Sequence, residues 1–212
     1  MTSTPLLVPA DRLRSALPPA AVAALDEMAA RVAADPRTLG RVFPAAARRT
    51  ARGDLGEGGP RIEDAVRVEL VVRAAAALGP EEVGAELEQL YRYGDADEKR
   101  AVLLALSVLD GQVDGREVLL DALRTNDVRL VAAAMGPHAR TLSDHEWRHG
   151  VLKCLFVGVP LAEVADLDTR ADAELVAMVR RYADERRAAG RPVPEDATSL
   201  LARTDTTTGQ EG

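Results

Sequence analysis

Apolar residues recur at intervals of three and four along most of the chain, which is the spacing of one face of an α-helix. Prolines, glycines and capping residues interrupt the pattern at short intervals, so it predicts many short helices joined by turns. The residues Val22, Leu25, Met28 and Val32 show the spacing clearly. Longer helices are predicted over 62–78, 143–156 and 172–189.

Three features break this helical pattern. Residues 52–60 contain four glycines and are predicted to form a loop. Pro44 is expected to break the second helix, because proline lacks the amide donor that a helix interior uses. Residues 191–212 are mostly polar, so we expect a loosely held C-terminal tail, part of which Leu200 and Leu201 could dock.

A weak internal repeat lies in the middle of the chain. Residues 97–106 align with residues 126–135, and Arg100 then falls on Arg129. The pattern is similar to that of short HEAT-like repeats, whose helix pairs stack because one pair cannot bury its apolar face alone. We therefore expect an all-α fold, an irregular helical array with HEAT-like helix pairs in a single domain over 1–190. A compact helical bundle is the alternative.

Composition agrees with an all-α chain and narrows its partners. Aromatic residues make up 3% of the chain and Ile62 is the only isoleucine, which disfavours a β-sandwich or β-barrel. The 34 acidic and 27 basic residues give a net charge of −7, the wrong sign for a surface that binds nucleic acid. A single cysteine, Cys154, and the lack of a long apolar run or a signal-like start predict a cytoplasmic protein without a membrane span.

Three blocks in the second half of the chain resemble one known family. They are YRYGDADEKRA at 91–101, ALRTNDVR at 122–129 and WRHGVLKCLFVGVPL at 147–161. In this order they are similar to the EboA family, over about 83–189. The resemblance implies a bacterial accessory protein in the traffic of prenylated or related metabolites. It also implies partners from the same gene cluster, among them a UbiA-like prenyltransferase and a TatD-like hydrolase, and it supplies no catalytic residues.

The segment HEWRH at 145–149 offers an alternative chemistry. In a helix, His145 and His149 lie one turn apart on one face and could bind zinc, with Glu146 as the general base for a bound water. Such a site would make the chain a zinc-dependent hydrolase. A further ligand could come from His138, Asp168 or Glu174.

The same segment also fits a helix cap, and we favour that interpretation. Ser143 and Glu146 have the spacing of a capping box, in which the Glu146 carboxylate binds the backbone amide of Ser143. That bond competes with a role as a base. Arg148 also adds a charge where the metalloprotease pattern usually has an uncharged residue. We therefore expect no metal and no cofactor.

The predicted helix over 143–156 is apolar on two nearly opposite sides. The second side is either core, in a helix sandwiched between layers, or the lining of a groove for an apolar ligand or a partner. One side carries Trp147, Gly150, Val151, Cys154 and Leu155, and the other carries His145, His149, Leu152 and Phe156, with Lys153 at its edge. From the family-like blocks we predict a ligand or partner surface of Asn126, Asp127, Trp147, His149, Leu152, Lys153, Phe156, Arg100 and Arg129.

Four of these residues also have simple structural roles. Asn126 and Asp127 are expected to cap a helix. Arg100 and Arg129 are expected to form ion pairs between repeats, although a guanidinium fork could instead hold a phosphate or a carboxylate.

These patterns favour a non-enzymatic accessory protein that binds a hydrophobic metabolite or a partner enzyme of its gene cluster. The zinc-dependent hydrolase is the alternative. A helical-repeat adaptor between proteins is a third hypothesis.

Overall fold

The structure, a computed structural model, describes residues 6–208, and every regular element in this range is a helix. The prediction of an all-α fold is confirmed, whereas the HEAT-like pairing of helices is not. The α-helices are α1 (Ala10–Ser15), α2 (Pro19–Ala34), α3 (Leu39–Arg49), α4 (Ile62–Ala75), α5 (Pro80–Tyr93), α6 (Ala96–Leu109), α7 (Arg116–Arg124), α8 (Val128–Ala134), α9 (Asp144–Val157), α10 (Leu167–Arg170), α11 (Ala173–Ala188) and α12 (Glu195–Thr208). Short 3₁₀ turns occupy Pro36–Thr38, Pro137–Thr141 and Leu161–Glu163.

The chain divides into two compact units, Met1–Asp121 and Ala122–Gly212. The boundary between them falls inside α7. The single domain over 1–190 stays a prediction. Across residues 6–208, no helix combines the length and the apolar character that crossing a membrane requires.

The first unit is built around α4. All ten residues from 62 to 71 are buried, and α1, α2, α3, α5 and α6 pack against this helix. A helix that is apolar on every side belongs in a core. The sequence of α4 nevertheless includes four charged residues among those ten: Glu63, Asp64, Arg67 and Glu69.

Each buried charge of α4 binds a different part of the unit. The Glu63 carboxylate accepts from the amide of Gly53 at 3.0 Å, and so fixes the glycine-rich loop. Glu69 forms an ion pair with Arg14 of α1 at 2.9 Å. Arg67 donates to the carbonyl oxygen of Phe43 in α3 at 3.3 Å.

The fourth buried charge, Asp64, accepts two hydrogen bonds from Arg100 of α6, at 2.7 and 3.1 Å. Arg100 also donates to Asp97 at 3.1 Å. Burial raises the pKa of Asp64 above its usual value, and the guanidinium of Arg100 opposes that rise. Because charges removed from water are costly unless they are paired, these contacts hold the neighbouring elements in place around α4.

Pro44 does not break the second helix as the sequence predicted, because α3 runs through it from Leu39 to Arg49. Proline removes one backbone hydrogen bond from a helix interior. In α3 the loss is offset by burial of the residues on both sides of the proline: Val42, Phe43, Ala46 and Ala47.

Arg100 and Arg129, which the internal repeat aligns, should differ sharply in their contributions to stability. Arg100→Ala leaves Asp64 buried without its bidentate partner and should lower the free energy of unfolding by about 3 to 5 kcal/mol. Arg129 binds Asp127 at the surface, where ion pairs contribute little, so Arg129→Ala should cost within about 1 kcal/mol. Urea unfolding of both variants measures the difference.

The loss in Arg100→Ala should also shrink as the pH falls, because an unpaired Asp64 takes up a proton in the folded state before it does so in the unfolded state. Equal losses in the two arginine variants, or a loss in Arg100→Ala that is independent of pH, would contradict this account of α4.

The second unit contains a core built around Trp147 of α9. The Trp147 side chain is fully buried, and the guanidinium of Arg170 lies over its ring at 4.8 Å. Arg170 also donates to the carbonyl oxygens of Ala139 and Leu142, at 3.2 and 3.0 Å. One arginine therefore joins the end of α10 to α9 and to the turn that precedes it.

The segment predicted to be a loosely held tail contains α12. Ala197, Leu200 and Leu201 are buried, and α12 packs against α11. The amide of Leu161 also donates to the Asp196 carboxylate at 2.8 Å. Leu200 and Leu201 thus dock part of the segment, as the sequence allowed: the three buried apolar residues fall on one helical face, which a low overall apolar content conceals. Residues 209–212 lie outside the described part of the chain.

Helix α12 should contribute to the stability of the second unit. Leu200→Ala removes a buried leucine and should lower the free energy of unfolding by about 2 to 5 kcal/mol. Ser199→Ala, at the exposed neighbouring position, should change it by less than about 0.5 kcal/mol. Thermal unfolding of both variants, and of the chain ended at Gly190, is the measurement. An unchanged melting temperature in the shortened chain would show that α12 adds nothing.

Candidate functional site

Helix α9 begins with the capping box that its sequence predicted. The Glu146 carboxylate accepts from the amide of Ser143 at 3.0 Å, and the Ser143 hydroxyl oxygen accepts from the amide of Glu146 at 3.4 Å. The carboxylate also accepts from the Ser143 hydroxyl at 2.8 Å. Glu146 is thus engaged at the start of the helix, in the way that the capping interpretation requires.

The two histidines of the HEWRH segment are exposed neighbours on α9. Their ring centroids lie 4.3 Å apart, and Nδ1 of His149 lies 2.8 Å from the carbonyl oxygen of His145. Because a carbonyl oxygen only accepts, this contact requires the proton of His149 on Nδ1.

The other residues considered as zinc ligands have different surroundings. His138 is buried in the turn before α9, Asp168 forms an ion pair with Arg203, and Glu174 binds Arg181 at 3.2 Å. In the part of the chain that the structure describes, no group of three or more His, Cys, Asp or Glu side chains could hold a metal ion.

One face of α9 forms part of the core, as its spacing predicted. Its buried residues are Trp147, Gly150, Val151, Cys154 and Leu155. A Cβ atom at Gly150 would lie 2.4 Å from the sulfur of Met135, so glycine lets this part of α9 approach the end of α8 closely. Burial raises the pKa of the Cys154 thiol to about 12, which keeps the thiol protonated and unreactive at neutral pH.

The opposite face of α9 is at the surface and is not core. Phe156 is 66% exposed, His145 and His149 are exposed, and Leu152 and Lys153 are half-buried. We call these five residues the α9 outer face. An exposed phenylalanine amid polar neighbours is typical of a contact surface.

Lys153 connects the α9 outer face to the start of α8. Its ammonium group donates to the Asn126 side-chain oxygen at 2.8 Å and lies 5.7 Å from the centre of the Phe156 ring. The structure thus brings together Asn126, Lys153 and Phe156, which the sequence placed on one predicted surface. Val128, the first residue of α8, is also exposed, at 42%. The sequence could have indicated Val128, because it is an apolar residue directly after the helix cap Asp127.

The remaining predicted residues have other positions. Asp127 caps α8 by accepting from the amide of Arg129 at 2.9 Å, and the Arg129 side chain lowers the pKa of the Asp127 carboxyl by hydrogen bonding to it. Arg100 is bound to Asp64 in the first unit, and Trp147 is buried beneath Arg170. Arg100, Trp147, Asp127 and Arg129 are therefore not part of the α9 outer face.

Comparison with known proteins identifies the family. A family model described as metabolite traffic protein EboA matches residues 41–201, which is most of the chain. The chain belongs to the EboA family. Searches of curated proteins and of solved structures gave no match. The match extends the EboA resemblance of the second half back into α3, and it includes α4 with its buried charges.

Membership of the EboA family assigns the chain to metabolite traffic. The matched range contains the α9 outer face, Asn126 and α8, and it ends within α12. It thus includes both of the Leu200 and Leu201 positions that pack against α11. The family match and the packing of α12 both extend beyond Gly190.

The capping role of Ser143 can be separated from metal binding. Ser143→Ala removes the acceptor for the Glu146 amide and should lower the free energy of unfolding by about 1 kcal/mol. We expect a metal chelator to leave the melting temperature of the unmodified chain unchanged. Stoichiometric zinc in the purified protein, together with a hydrolase activity that His149→Ala abolishes, would support the zinc alternative instead.

Proposed function

We propose that this member of the EboA family is a non-enzymatic accessory protein that binds a partner enzyme of its metabolite pathway through the α9 outer face. The observation that carries the proposal is the exposed Phe156 ring beside Lys153, whose ammonium group is held by Asn126. The cluster-encoded UbiA-like prenyltransferase and TatD-like hydrolase that the resemblance implies are the candidate partners.

The shape of this surface favours a protein over a small molecule. The α9 outer face lies along the side of a single helix, whereas small ligands are usually enclosed by a concave site built from several elements. Aromatic side chains surrounded by polar groups are frequent energetic centres of protein interfaces. Phe156 supplies the aromatic group, and Lys153 with its Asn126 contact supplies a positioned charge at the edge.

The positive charge of Lys153 gives this surface a preference for an acidic partner. Its neighbours on the α9 outer face are two histidines and two apolar residues, so the face carries no acidic side chain. A partner surface with an apolar centre and an acidic edge would complement it, since opposite charges guide the encounter of two proteins and fix their register.

Phe156 should be needed for binding and not for folding. Phe156→Ala should reduce capture of the co-expressed TatD-like hydrolase or UbiA-like prenyltransferase at least tenfold, while changing the free energy of unfolding by less than about 1 kcal/mol. Lys153→Ala should weaken the same capture and make it less dependent on salt. Affinity capture and thermal unfolding are the two measurements.

Tyr93→Ala is the matched control, because Tyr93 is an aromatic residue of the first unit that is 77% exposed. It should leave capture unchanged. Capture that survives Phe156→Ala, or that Tyr93→Ala reduces equally, would remove the α9 outer face as the partner surface. Retention of a small hydrophobic metabolite that depends on Phe156 would instead favour the metabolite-binding alternative for this face.

A further inference from the structure

The second unit also contains a groove, and no residue of the α9 outer face lines it. It has a volume of about 560 Å³ and is formed by the turn Leu161–Glu163, the residues that follow it, α10 and α12. This volume falls within the range of sites that bind small organic molecules.

The groove combines an apolar base with a polar edge. Leu161, Val164 and Leu200 line it and are buried, so they form its base. Its polar lining residues lie nearer the solvent and supply carboxylates, hydroxyls and one guanidinium: Asp166, Asp168, Thr169, Asp196, Ser199 and Arg203. A ligand that fits both parts has an aliphatic body and a polar head.

The charges at the edge determine what kind of head fits. Arg203 of α12 forms an ion pair with Asp168 of α10, and these two charges compensate each other. Asp196 accepts from the amide of Leu161 through one carboxylate oxygen, at 2.8 Å. Among the side chains that the structure describes, up to Arg203, none gives a cation to Asp196, and none gives a cation or a hydrogen-bond donor to the carboxylate of Asp166. Two carboxylates therefore face the groove without a compensating charge.

We propose that this groove binds a small amphiphilic cation, with its aliphatic body over Leu161, Val164 and Leu200 and its ammonium group beside Asp166 and Asp196. An ammonium group offers only hydrogen-bond donors and a positive charge, which complement carboxylate oxygens. A phosphate or carboxylate head would meet two like charges instead. The proposal is independent of the partner surface, because no residue of the α9 outer face lines the groove.

Three probes with the same aliphatic chain can test the choice of head group. Octylammonium, octyl glucoside and octyl phosphate are titrated into the full chain below their micelle concentrations, and backbone amide shifts are followed by NMR. Octylammonium should bind most tightly and should move the Leu161 amide signal, because that amide donates to Asp196. The Gly53 amide is the internal control, since it donates to the Glu63 carboxylate at 3.0 Å in the first unit and should not move.

The probe experiment has clear contrary outcomes. The proposal is wrong if octyl phosphate or octyl glucoside binds as tightly as octylammonium. It is equally wrong if octylammonium leaves the Leu161 signal unmoved at concentrations that saturate binding elsewhere.

Variants at the groove should change octylammonium affinity in opposite directions. Asp196→Asn keeps an oxygen acceptor for the Leu161 amide but removes a charge, and should weaken binding about fourfold, as expected for one unit charge at about 5 Å in water. Arg203→Gln removes a cation from the edge and should strengthen binding. Glu174→Gln makes the same charge change as Asp196→Asn at an exposed site of α11 outside the groove, and should leave the affinity unchanged.

The use of two groove variants keeps the test valid even if one of them fails to fold. Arg203 is largely exposed, so Arg203→Gln should keep the fold even if Asp196→Asn disturbs α12. Weaker octylammonium binding in Arg203→Gln, or equal effects of Asp196→Asn and Glu174→Gln, would overturn the assignment of a cation to this groove.

Discussion

A helix that is buried on every side must find a partner for each charge it carries, and α4 meets this constraint four times. Glu63 binds the glycine-rich loop, Asp64 binds α6, Arg67 binds α3 and Glu69 binds α1. Unpaired charges in such a position would cost more free energy than single apolar contacts supply, so the surrounding elements cannot shift independently. The arrangement explains how short helices with few aromatic residues form a specific core.

In the second unit, one buried aromatic residue and one arginine organise the core. Trp147 supplies the largest side chain of its core, and the Arg170 guanidinium covers the ring while donating to two backbone carbonyl oxygens. Because the inner face of α9 is held in this way, its outer face is not needed for packing. Phe156 can therefore remain at the surface at little cost to the stability of the unit.

The two proposed surfaces of the second unit suit different ligands for physical reasons. The α9 outer face carries an exposed aromatic ring and a lysine, which favours a partner protein. The groove beside α12 is concave and carries uncompensated carboxylates above an apolar base, which favours a small cation with an aliphatic chain. A metabolite traffic protein that binds both a cargo and an enzyme would need two such surfaces. Cys154 is buried in the core of this unit, and the Glu146 carboxylate binds the amide of Ser143.

Local features of this protein followed from the sequence, and long-range pairings did not. Helical spacing predicted most helices, the Ser143 and Glu146 capping box, and the residues of the two apolar faces of α9, because each depends on residues only a few positions apart. It left open whether the second face of α9 is core. The alignment of Arg100 with Arg129 was misleading in its chemistry, since Arg100 binds Asp64, which lies 36 positions away, and Arg129 binds its own helix cap. The helix at 195–208 was missed because its stability comes from burial against α11. Only the tertiary structure decided these points, because it determines which charge meets which partner and which apolar face is covered.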